Sequence, residues 1–300
     1  MSLFNQLVAT TLPIFPKRMV GFLSRHYIAG ESFSDASASA RQLMQEGCMI
    51  TLDVLGEHLE TMDATREYSS LYMTLPGLIE QEQLDANLSV KPSQMGLLLD
   101  PAGALENYRN IARAAAEFDN FIRIDMEDSS ITDSEFDLYR ELRSEYPRTG
   151  IVIQSYLRRT VDDANWLAAD KANVRLCKGI YQEPESIAFQ KRQEIRDSFM
   201  ETLEILLRGG AYVGIATHDD WLVDRSIQLV EHLKLSKEQY EFQMLLGVLP
   251  ELRRKIIASG HRLRVYVPFG KAWHAYSTRR LQENPDLVNH FIRDFFRSHK

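Results

Sequence analysis

The sequence predicts an α/β protein built as a (β/α)8 TIM-type barrel, with extra N-terminal helices before the barrel. Three observations predict this fold. Eight short, mostly apolar runs are bounded by polar residues, Gly or Pro; amphipathic stretches follow them; and the eight units fit into about 250 residues, the length typical of such barrels. Strands that are buried on both faces and alternate with helices form parallel sheets, so a closed barrel is favoured over an open doubly wound sheet.

The predicted elements follow one another without a low-complexity segment or a long linker. The predicted strands are residues 49–54, 88–91, 121–126, 151–154, 174–178, 212–216, 241–245 and 263–267. The clearest helices between them are amphipathic stretches at residues 102–118, 132–146, 185–207 and 220–233. We therefore expect an N-terminal helical extension over residues 1–46 and one barrel domain, including C-terminal helices, over residues 47–300.

The composition, 44% hydrophobic and 26% charged, is that of an ordinary soluble protein. A net charge of −7 with dispersed basic residues argues against a dedicated nucleic-acid binder. The two cysteines, Cys48 and Cys177, lie in apolar runs, which excludes a disulfide framework and favours a reducing compartment. No run approaches the roughly 20 apolar residues that span a bilayer, and the first residues lack the features of a signal peptide. We expect a cytoplasmic protein.

Polar side chains at the C-terminal ends of barrel strands face the active site. In this chain they are Asp53, Glu57, Lys91, Arg123, Asp125, Glu127, Asp128, Gln154, Tyr156, Arg175, Lys178, Tyr181, Thr217, His218, Asp219, Gln243 and Tyr266. This set collects several cations, and the anions committed to pairing with them are fewer. It predicts a pocket that accepts a large anionic ligand together with a small anionic substrate.

Beyond the last strand, the spacing of Tyr276, Arg279, Arg280 and Glu283 places them on one helical face. Two adjacent guanidiniums repel each other, so an anion between or beside them would explain the pair, and arginine is the residue that matches carboxylate or phosphate bidentately. The alternative is a solvated basic face with Glu283 as its salt-bridge partner. A later segment, residues 291–297, predicts either a contact with a membrane surface or a helix docked on the barrel wall.

Several common motifs are absent. The chain has no Gly-x-Gly-x-x-Gly, no phosphate-binding loop, no His-Glu-x-x-His and no Gly-x-Ser-x-Gly. One histidine with two carboxylates at 217–220 is too little to predict a metal, and Asp219 serves equally well as a helix cap. Lys91 has three interpretations: a Schiff-base nucleophile, a fixed cation beside a substrate carboxylate or a flavin, or a lysine that reaches to water.

The strand-end motifs together resemble those of proline dehydrogenases, both the short monofunctional bacterial enzymes and the matching domain of the bifunctional proline-utilisation flavoprotein. In chain order they are Lys91-Pro92-Ser93-Gln94-Met95-Gly96-Leu97, Arg123-Ile124-Asp125-Met126-Glu127-Asp128, Ile153-Gln154-Ser155-Tyr156-Leu157, Arg175-Leu176-Cys177-Lys178-Gly179-Ile180-Tyr181-Gln182-Glu183-Pro184, Ala216-Thr217-His218-Asp219, Phe242-Gln243-Met244-Leu245 and Tyr276-x-x-Arg279-Arg280-x-x-Glu283. The resemblance covers about residues 47 to 290, at every strand end but the first.

The resemblance implies an FAD-dependent barrel that oxidises L-proline to 1-pyrroline-5-carboxylate and passes electrons to a membrane quinone, with at most peripheral contact at the inner face of the membrane. It implies catalytic or substrate-binding roles for Lys91, Asp125, Tyr266, Tyr276, Arg279 and Arg280, the arginine pair holding the substrate carboxylate. It implies cofactor contacts for Asp125, Met126, Gln154, Arg175, Cys177, Lys178, Gly179, Tyr181, Thr217, His218, Gln243, Arg280 and Glu283.

Two positions depart from the family pattern: Ile180 stands where a small residue is usual beside the substrate pocket, and Pro92 replaces an aliphatic residue. Three alternative functions stay open. One is a related flavin barrel acting on hydroxyproline or methylenetetrahydrofolate, although tandem arginines favour a small carboxylate. Another is a Schiff-base lyase centred on Lys91, and the third is a non-catalytic barrel that acts as an interaction protein. The colour of the purified protein distinguishes a flavoprotein from the last two.

Overall fold

Eight parallel strands close into a barrel in sequence order, with β1 paired to both β2 and β8. The computed structural model describes residues 26–56, 59–274 and 276–277. The strands are β1 (Met49–Val54), β2 (Ala86–Val90), β3 (Ile122–Ile124), β4 (Thr149–Gln154), β5 (Asn173–Cys177), β6 (Tyr212–Ala216), β7 (Tyr240–Leu245) and β8 (Leu263–Phe269). The predicted (β/α)8 fold is confirmed.

Helices connect the strands on the outside of the barrel. They are α1 (Phe33–Gln45), α2 (Met62–Gln81), α3 (Pro101–Ala116), α4 (Thr132–Glu145), α5 (Thr160–Ala169), α6 (Arg192–Arg208), α7 (Asp220–His232) and α8 (Pro250–Ala258). Helix α1 precedes the barrel and packs against β1 and β8. It begins with a capping box, in which Asp35 N–H donates to Ser32 Oγ and Ser32 N–H donates to Asp35 Oδ2. No helix among the described residues is both long enough and apolar enough to cross a membrane.

One predicted helix was wrong at its start: α6 begins at Arg192, not at residue 185. The preceding residues, 178–191, form a loop that pairs with the exit of β4. Phe189 N–H donates to Tyr156 O at 2.8 Å, and Leu157 and Ala188 form an isolated antiparallel bridge. Backbone N–H and C=O groups that a longer helix would have bonded internally are bonded here to the chain after β4. The loop therefore covers the end of β4.

The outward-facing strand residues form an aliphatic layer beneath the helices. Sixteen of them are at most 2% exposed: Ile50, Leu52, Leu88, Val90, Ile122, Ile124, Ile151, Ile153, Val174, Leu176, Val213, Ile215, Phe242, Met244, Val265 and Val267. They belong to one continuous core that also includes the inner faces of the helices. Because side chains alternate between the two faces of a strand, the residues between them point into the barrel.

The interior of the barrel is polar, in contrast to the branched aliphatic filling that is usual in this fold. The inward-facing side chains include Thr51, Asp53, Ser89, Arg123, Gln154, Arg175, Glu241, Gln243, Arg264 and Tyr266, and most of them are buried. Two interior glycines make room for the longest of them. A Cβ atom at Gly214 would lie 2.4 Å from Gln243 Nε2, and one at Gly150 would lie 2.6 Å from Arg123 Nη1.

Candidate active site

Lys91 directly follows β2, and its ammonium group lies at the centre of a buried cluster. Its Nζ is 3.1 Å from Asp53 Oδ1, 3.2 Å from Asp125 Oδ2 and 3.0 Å from Tyr266 Oη. Lys91 is only 7% exposed, and Asp53 is fully buried. Two carboxylates this close stabilise the charged ammonium, whereas a Schiff-base nucleophile must be a neutral amine. The geometry therefore favours the fixed-cation interpretation of Lys91.

Asp125 lies one residue beyond β3 and accepts hydrogen bonds from several side chains. The donors are Ser89 Oγ, Lys91 Nζ at 3.2 Å, Arg175 Nη1 at 2.9 Å and Tyr266 Oη at 3.0 Å. Burial raises the pKa of Asp125, but the positive charges of Lys91 and Arg175 outweigh burial and bring the pKa below its usual value. Asp125 is thus a carboxylate with both oxygens occupied, which suits it to hold its neighbours in place rather than to accept a proton.

Tyr266, in β8, lies between the two cations of the cluster. Its ring centroid is 5.7 Å from Lys91 Nζ and 5.1 Å from Arg175 Cζ. Burial, together with the negative charge of Asp125, raises the pKa of Tyr266 well above its usual value. Tyr266 is therefore a neutral phenol that donates its hydroxyl hydrogen to Asp125, and the electron-rich face of its ring attracts the neighbouring cations.

Arg175, in β5, connects the cluster to the deeper interior. Its Nη1 also donates to Ser89 Oγ at 3.0 Å, and its Nε donates to Gln243 Oε1 at 2.6 Å. Arg175 is 7% exposed. The guanidinium is therefore bonded to side chains of β2 and β7 and to the residue after β3, and these bonds fix its direction.

Arg123 was predicted to face the site, and this was wrong. It lies within β3, and its Nη1 donates to Asn173 O at 2.8 Å, while Nη2 donates to Asn173 Oδ1 at 2.6 Å. Asn173 is the first residue of β5, so Arg123 extends toward the opposite, N-terminal end of the barrel. Burial lowers the pKa of Arg123 to about 9, with a further contribution from the positive charge of Arg175. The strand turns Arg123 inward, where Ile151 O of β4 and Asn173 at the start of β5 accept its hydrogen bonds.

A second charged cluster lies where β5 and β6 end. The buried carboxylate of Asp219 accepts from Arg196 Nη2 at 2.6 Å and from Arg192 Nη2 at 3.3 Å, and its Oδ2 is 3.5 Å from Lys178 Nζ. Burial raises the pKa of Asp219, but the hydrogen bond from Arg196 and the charge of Lys178 lower it well below its usual value. Three cations share one carboxylate, so the cluster, which we call the Asp219 cluster, carries excess positive charge.

Sequence reasoning missed two members of the Asp219 cluster. Arg192 and Arg196 lie one turn apart at the start of α6, a spacing visible in the sequence, but the predicted helix placed them in its interior. The expectation that Asp219 caps a helix was also wrong for its side chain. Asp219 occupies the N-cap position of α7, yet its side chain makes no capping hydrogen bond because its oxygens bind the cations.

The other predicted cofactor contacts lie around the same end of the barrel. Gln154 Nε2 donates to Glu127 O at 2.8 Å, and His218 Nε2 accepts from Leu245 N–H at 2.9 Å. Gly179 has a φ of +106°, and the ring of Tyr156 lies where its side chain would be, 2.1 Å from a Cβ. The remaining members, at or just beyond the ends of β3, β5 and β6, are Met126, Cys177, Tyr181 and Thr217.

The C-terminal part of the prediction falls largely outside the described residues. Tyr276 is described: it is 7% exposed and packs with Ile28 and Leu55. The predicted residues Arg279, Arg280 and Glu283 lie outside, as do Glu57 and residues 291–297. Ile180 lies in the loop after β5 with 42% of its surface exposed.

The loop over residues 178–191 is fastened to the loop after β3. Glu183 accepts two hydrogen bonds from Ser129, from the backbone N–H to Oε1 and from Oγ to Oε2, each 2.7 Å long. Within the described part of the chain, no group of three or more His, Cys, Asp or Glu residues is arranged to hold a metal ion.

Comparisons with known proteins agree on one family. A family model described as proline dehydrogenase matches residues 36–293. Proline dehydrogenase 1 of Bacillus subtilis subsp. natto is 34% identical over 262 residues, which is 87% of each chain. The proline dehydrogenase of Deinococcus radiodurans is 32% identical over 268 residues, or 88% of this chain and 86% of that one.

A solved structure gives the same result for the fold. Proline utilization A (PutA) from Bdellovibrio bacteriovorus, inactivated by N-propargylglycine, superposes with a TM-score of 0.81 at 25% sequence identity. The match covers 87% of this chain but only 32% of that larger protein.

Proposed function

The chain belongs to the proline dehydrogenase family, and we propose that it oxidises L-proline to 1-pyrroline-5-carboxylate with FAD as its cofactor and a membrane quinone as electron acceptor. The observation that supports this most directly is the buried cluster of Lys91, Asp125, Arg175 and Tyr266. The cluster lies at the carboxyl ends of the strands, where barrel enzymes bind their substrates.

The donor set fits a phosphate-bearing cofactor. The Asp219 cluster has two more cations than its carboxylate can neutralise, and the side chains of Lys178 and Arg192 are 39% and 73% exposed. We propose that these residues hold FAD together with the other predicted contacts, which are Asp125, Met126, Gln154, Arg175, Cys177, Gly179, Tyr181, Thr217, His218, Gln243, Arg280 and Glu283. Bound FAD would supply a two-electron acceptor for oxidation of the proline ring.

The residues of the chain contribute orientation and charge. Arg279 and Arg280 bind the substrate carboxylate as a bidentate clamp, which fixes the ring carbon that is oxidised. Lys91 and the neutral Tyr266 form one wall of the substrate pocket, and Tyr276 forms another. Arg175 provides a fixed positive charge where negative charge develops during the reaction, a form of stabilisation that needs no reorganisation.

The decisive experiment is to purify the protein and examine its absorbance. We expect a yellow protein with stoichiometric, non-covalent FAD that loses its flavin absorbance when L-proline is added anaerobically. N-propargylglycine, with which the PutA relative was inactivated, should also abolish the activity of this chain. A colourless protein that FAD does not reconstitute would contradict the assignment, and bleaching by hydroxyproline in preference to proline would change its substrate.

We also propose a cytoplasmic location with at most peripheral contact at the inner face of the membrane, because a quinone acceptor requires no more than that. The division into residues 1–46 and residues 47–300 remains part of the proposal. Limited proteolysis that releases a stable fragment beginning near residue 47 would support the division.

A further inference from the structure

A row of buried polar side chains crosses the barrel from its N-terminal end to the proposed active site. Arg264 Nε donates to Glu241 Oε1 at 2.8 Å, and Gln243 Nε2 donates to the same oxygen at 2.6 Å. Gln243 Oε1 then accepts from Arg175 Nε at 2.6 Å. Glu241 is 1% exposed, and its hydrogen-bond partners are Tyr212, Gln243 and Arg264. One side chain, Gln243, therefore separates Glu241 from Arg175.

The charges at the two ends of this row determine the orientation of the amide between them. A guanidinium only donates hydrogen bonds, and an ionised carboxylate only accepts them. Burial raises the pKa of Glu241, but the positive charge of Arg264 outweighs it, so that Glu241 is an anion. Gln243 must therefore turn its NH2 toward Glu241 and its oxygen toward Arg175. The reversed amide would face donor against donor and acceptor against acceptor.

This orientation restricts Arg175 in turn. Its Nε is bonded to Gln243 and its Nη1 to Ser89 and Asp125. Within the described residues, Nη2 has no hydrogen-bond partner, so this part of the fork is available to a bound anionic group. If Gln243 turned its NH2 toward the guanidinium, Arg175 would lose the acceptor that fixes its Nε, and the direction of Nη2 would change.

We propose, on the premise of the proposed function, that Glu241 is a positioning residue for Arg175, which acts by selecting the amide orientation of Gln243. Glu241 touches neither substrate nor cofactor in this scheme. The second oxygen of Glu241, Oε2, accepts from Tyr212 Oη at 2.8 Å. Gly214 has no side chain, which leaves space for the Gln243 amide.

The test uses the isosteric variant Glu241→Gln, which removes the charge and keeps the shape. We expect kcat to fall by roughly 10- to 100-fold with little change in KM, because a displaced group costs most in the transition state. The midpoint potential of bound FAD should become more negative, because the guanidinium then stabilises the reduced form less. In a background of Arg175→Lys, Glu241→Gln should cause no further loss of kcat.

Two further variants keep the result interpretable. Gln243→Leu removes the connecting amide, and its crystal structure should show a displaced Arg175 guanidinium even if Glu241→Gln folds poorly. The displacement is the readout for this variant, because Gln243 is itself a proposed FAD contact. Tyr212→Phe is the matched control: it deletes one hydrogen bond of Glu241 but leaves its charge and Arg264 in place, so kcat and the potential should stay at the wild-type values.

A readout without activity separates this inference from the proposed function. Crystal structures of wild type and Glu241→Gln should show that the Arg175 guanidinium has moved in the variant. If it has not moved, and kcat and the potential change no more than in Tyr212→Phe, the positioning role is wrong. A wild-type protein that lacks FAD and does not oxidise proline would overturn the proposed function, while the movement of Arg175 would still decide the role of Glu241.

Discussion

The two faces of the barrel sheet are built on opposite principles. The outward face is an almost continuous aliphatic layer, whereas the inward face is made of charged and amide side chains that bond to one another. Burial of aliphatic surface is non-directional and contributes most of the free energy of folding. Hydrogen bonds between charged groups are directional, so they fix the orientation of the inward-facing side chains. The fold is therefore stabilised on one side of each strand and its function is positioned on the other.

Most charges of the inner face are neutralised by a neighbour of opposite charge, whereas Arg123 is bonded to the neutral acceptors Ile151 O and Asn173. Glu241 is paired with Arg264, and Asp125 lies between Lys91 and Arg175. In a buried ion pair the attraction between the two charges roughly offsets the free energy of removing them from water. Removal of one partner leaves the other as an uncompensated buried charge. Substitutions on the two faces should consequently fail in different ways, and the predictions below test that difference.

The largest effect is expected for Lys91→Met, which keeps the length of the side chain and removes its charge. Asp53 and Asp125 would lose their common cation, at a cost of about 3–5 kcal/mol in the free energy of unfolding. We expect kcat/KM for proline to fall by roughly 10²–10³-fold as well. Denaturant unfolding and steady-state kinetics measure both quantities, with Lys91→Arg as the variant that retains charge. Loss of stability with normal kcat/KM would show that Lys91 is purely structural.

On the outer face, Leu52→Ala should affect stability alone. Leu52 is fully buried, so the cavity should lower the free energy of unfolding by about 2–5 kcal/mol. The kcat of the folded fraction should remain at the wild-type value. Leu98→Ala is the matched control, because Leu98 is 55% exposed and its truncation should cost less than about 0.5 kcal/mol. A large fall in kcat in Leu52→Ala would contradict the separation of the two faces.

Asp219→Asn tests the charge at the mouth of the barrel. Weakening its charge-assisted hydrogen bonds should cost about 1.5–3 kcal/mol at neutral pH. The pKa of Asp219 is lower in the folded protein than in the unfolded chain, so the unfolded chain takes up protons first and stability falls as the pH drops below about 4.

The variant lacks this titration, so its stability should fall less than that of wild type between pH 7 and pH 3. Urea unfolding at both pH values measures the difference. Equal losses in the two proteins would mean that Asp219 is not the carboxylate responsible.

Ile180→Ala tests the departure from the family pattern. If Ile180 borders the substrate ring, its truncation should raise the ratio of kcat/KM for hydroxyproline to that for proline by about tenfold, the lower part of the range for a change in an apolar pocket. Because the side chain is 42% exposed, the free energy of unfolding should change little. An unchanged ratio would show that pocket size is set by other residues.

The smallest effect is expected at His261, whose Nδ1 is 2.9 Å from Tyr240 Oη. Burial lowers the pKa of His261 below that of the unfolded chain. The unfolded chain therefore binds the proton first, and stability falls slightly as the pH drops below about 6.5. In His261→Gln this dependence should disappear. A thermal-melting series from pH 8 to pH 5.5 checks it, and identical slopes in both proteins would contradict it.

The sequence predicted the strands well because aliphatic runs that end in polar residues are local signals. The features that define the site, by contrast, join residues that are far apart in the chain. In the Asp219 cluster, Arg192 and Arg196 bind a carboxylate more than 20 positions further along the chain, and both lie in the first turns of α6, which begins later than its amphipathic pattern suggests. Arg123 shows the other limit. A polar residue near a strand end was expected to face the site, but only the register of the barrel tells which end it approaches.

Gly214 has a consequence for how this barrel can change through evolution. A methyl group there would lie 2.4 Å from the Gln243 amide, which its two charged neighbours hold in place. A lineage cannot enlarge position 214 without first shortening position 243, and it cannot shorten position 243 without releasing Arg175. Substitutions at these three positions of the inner face are therefore coupled, and the order in which they occur matters.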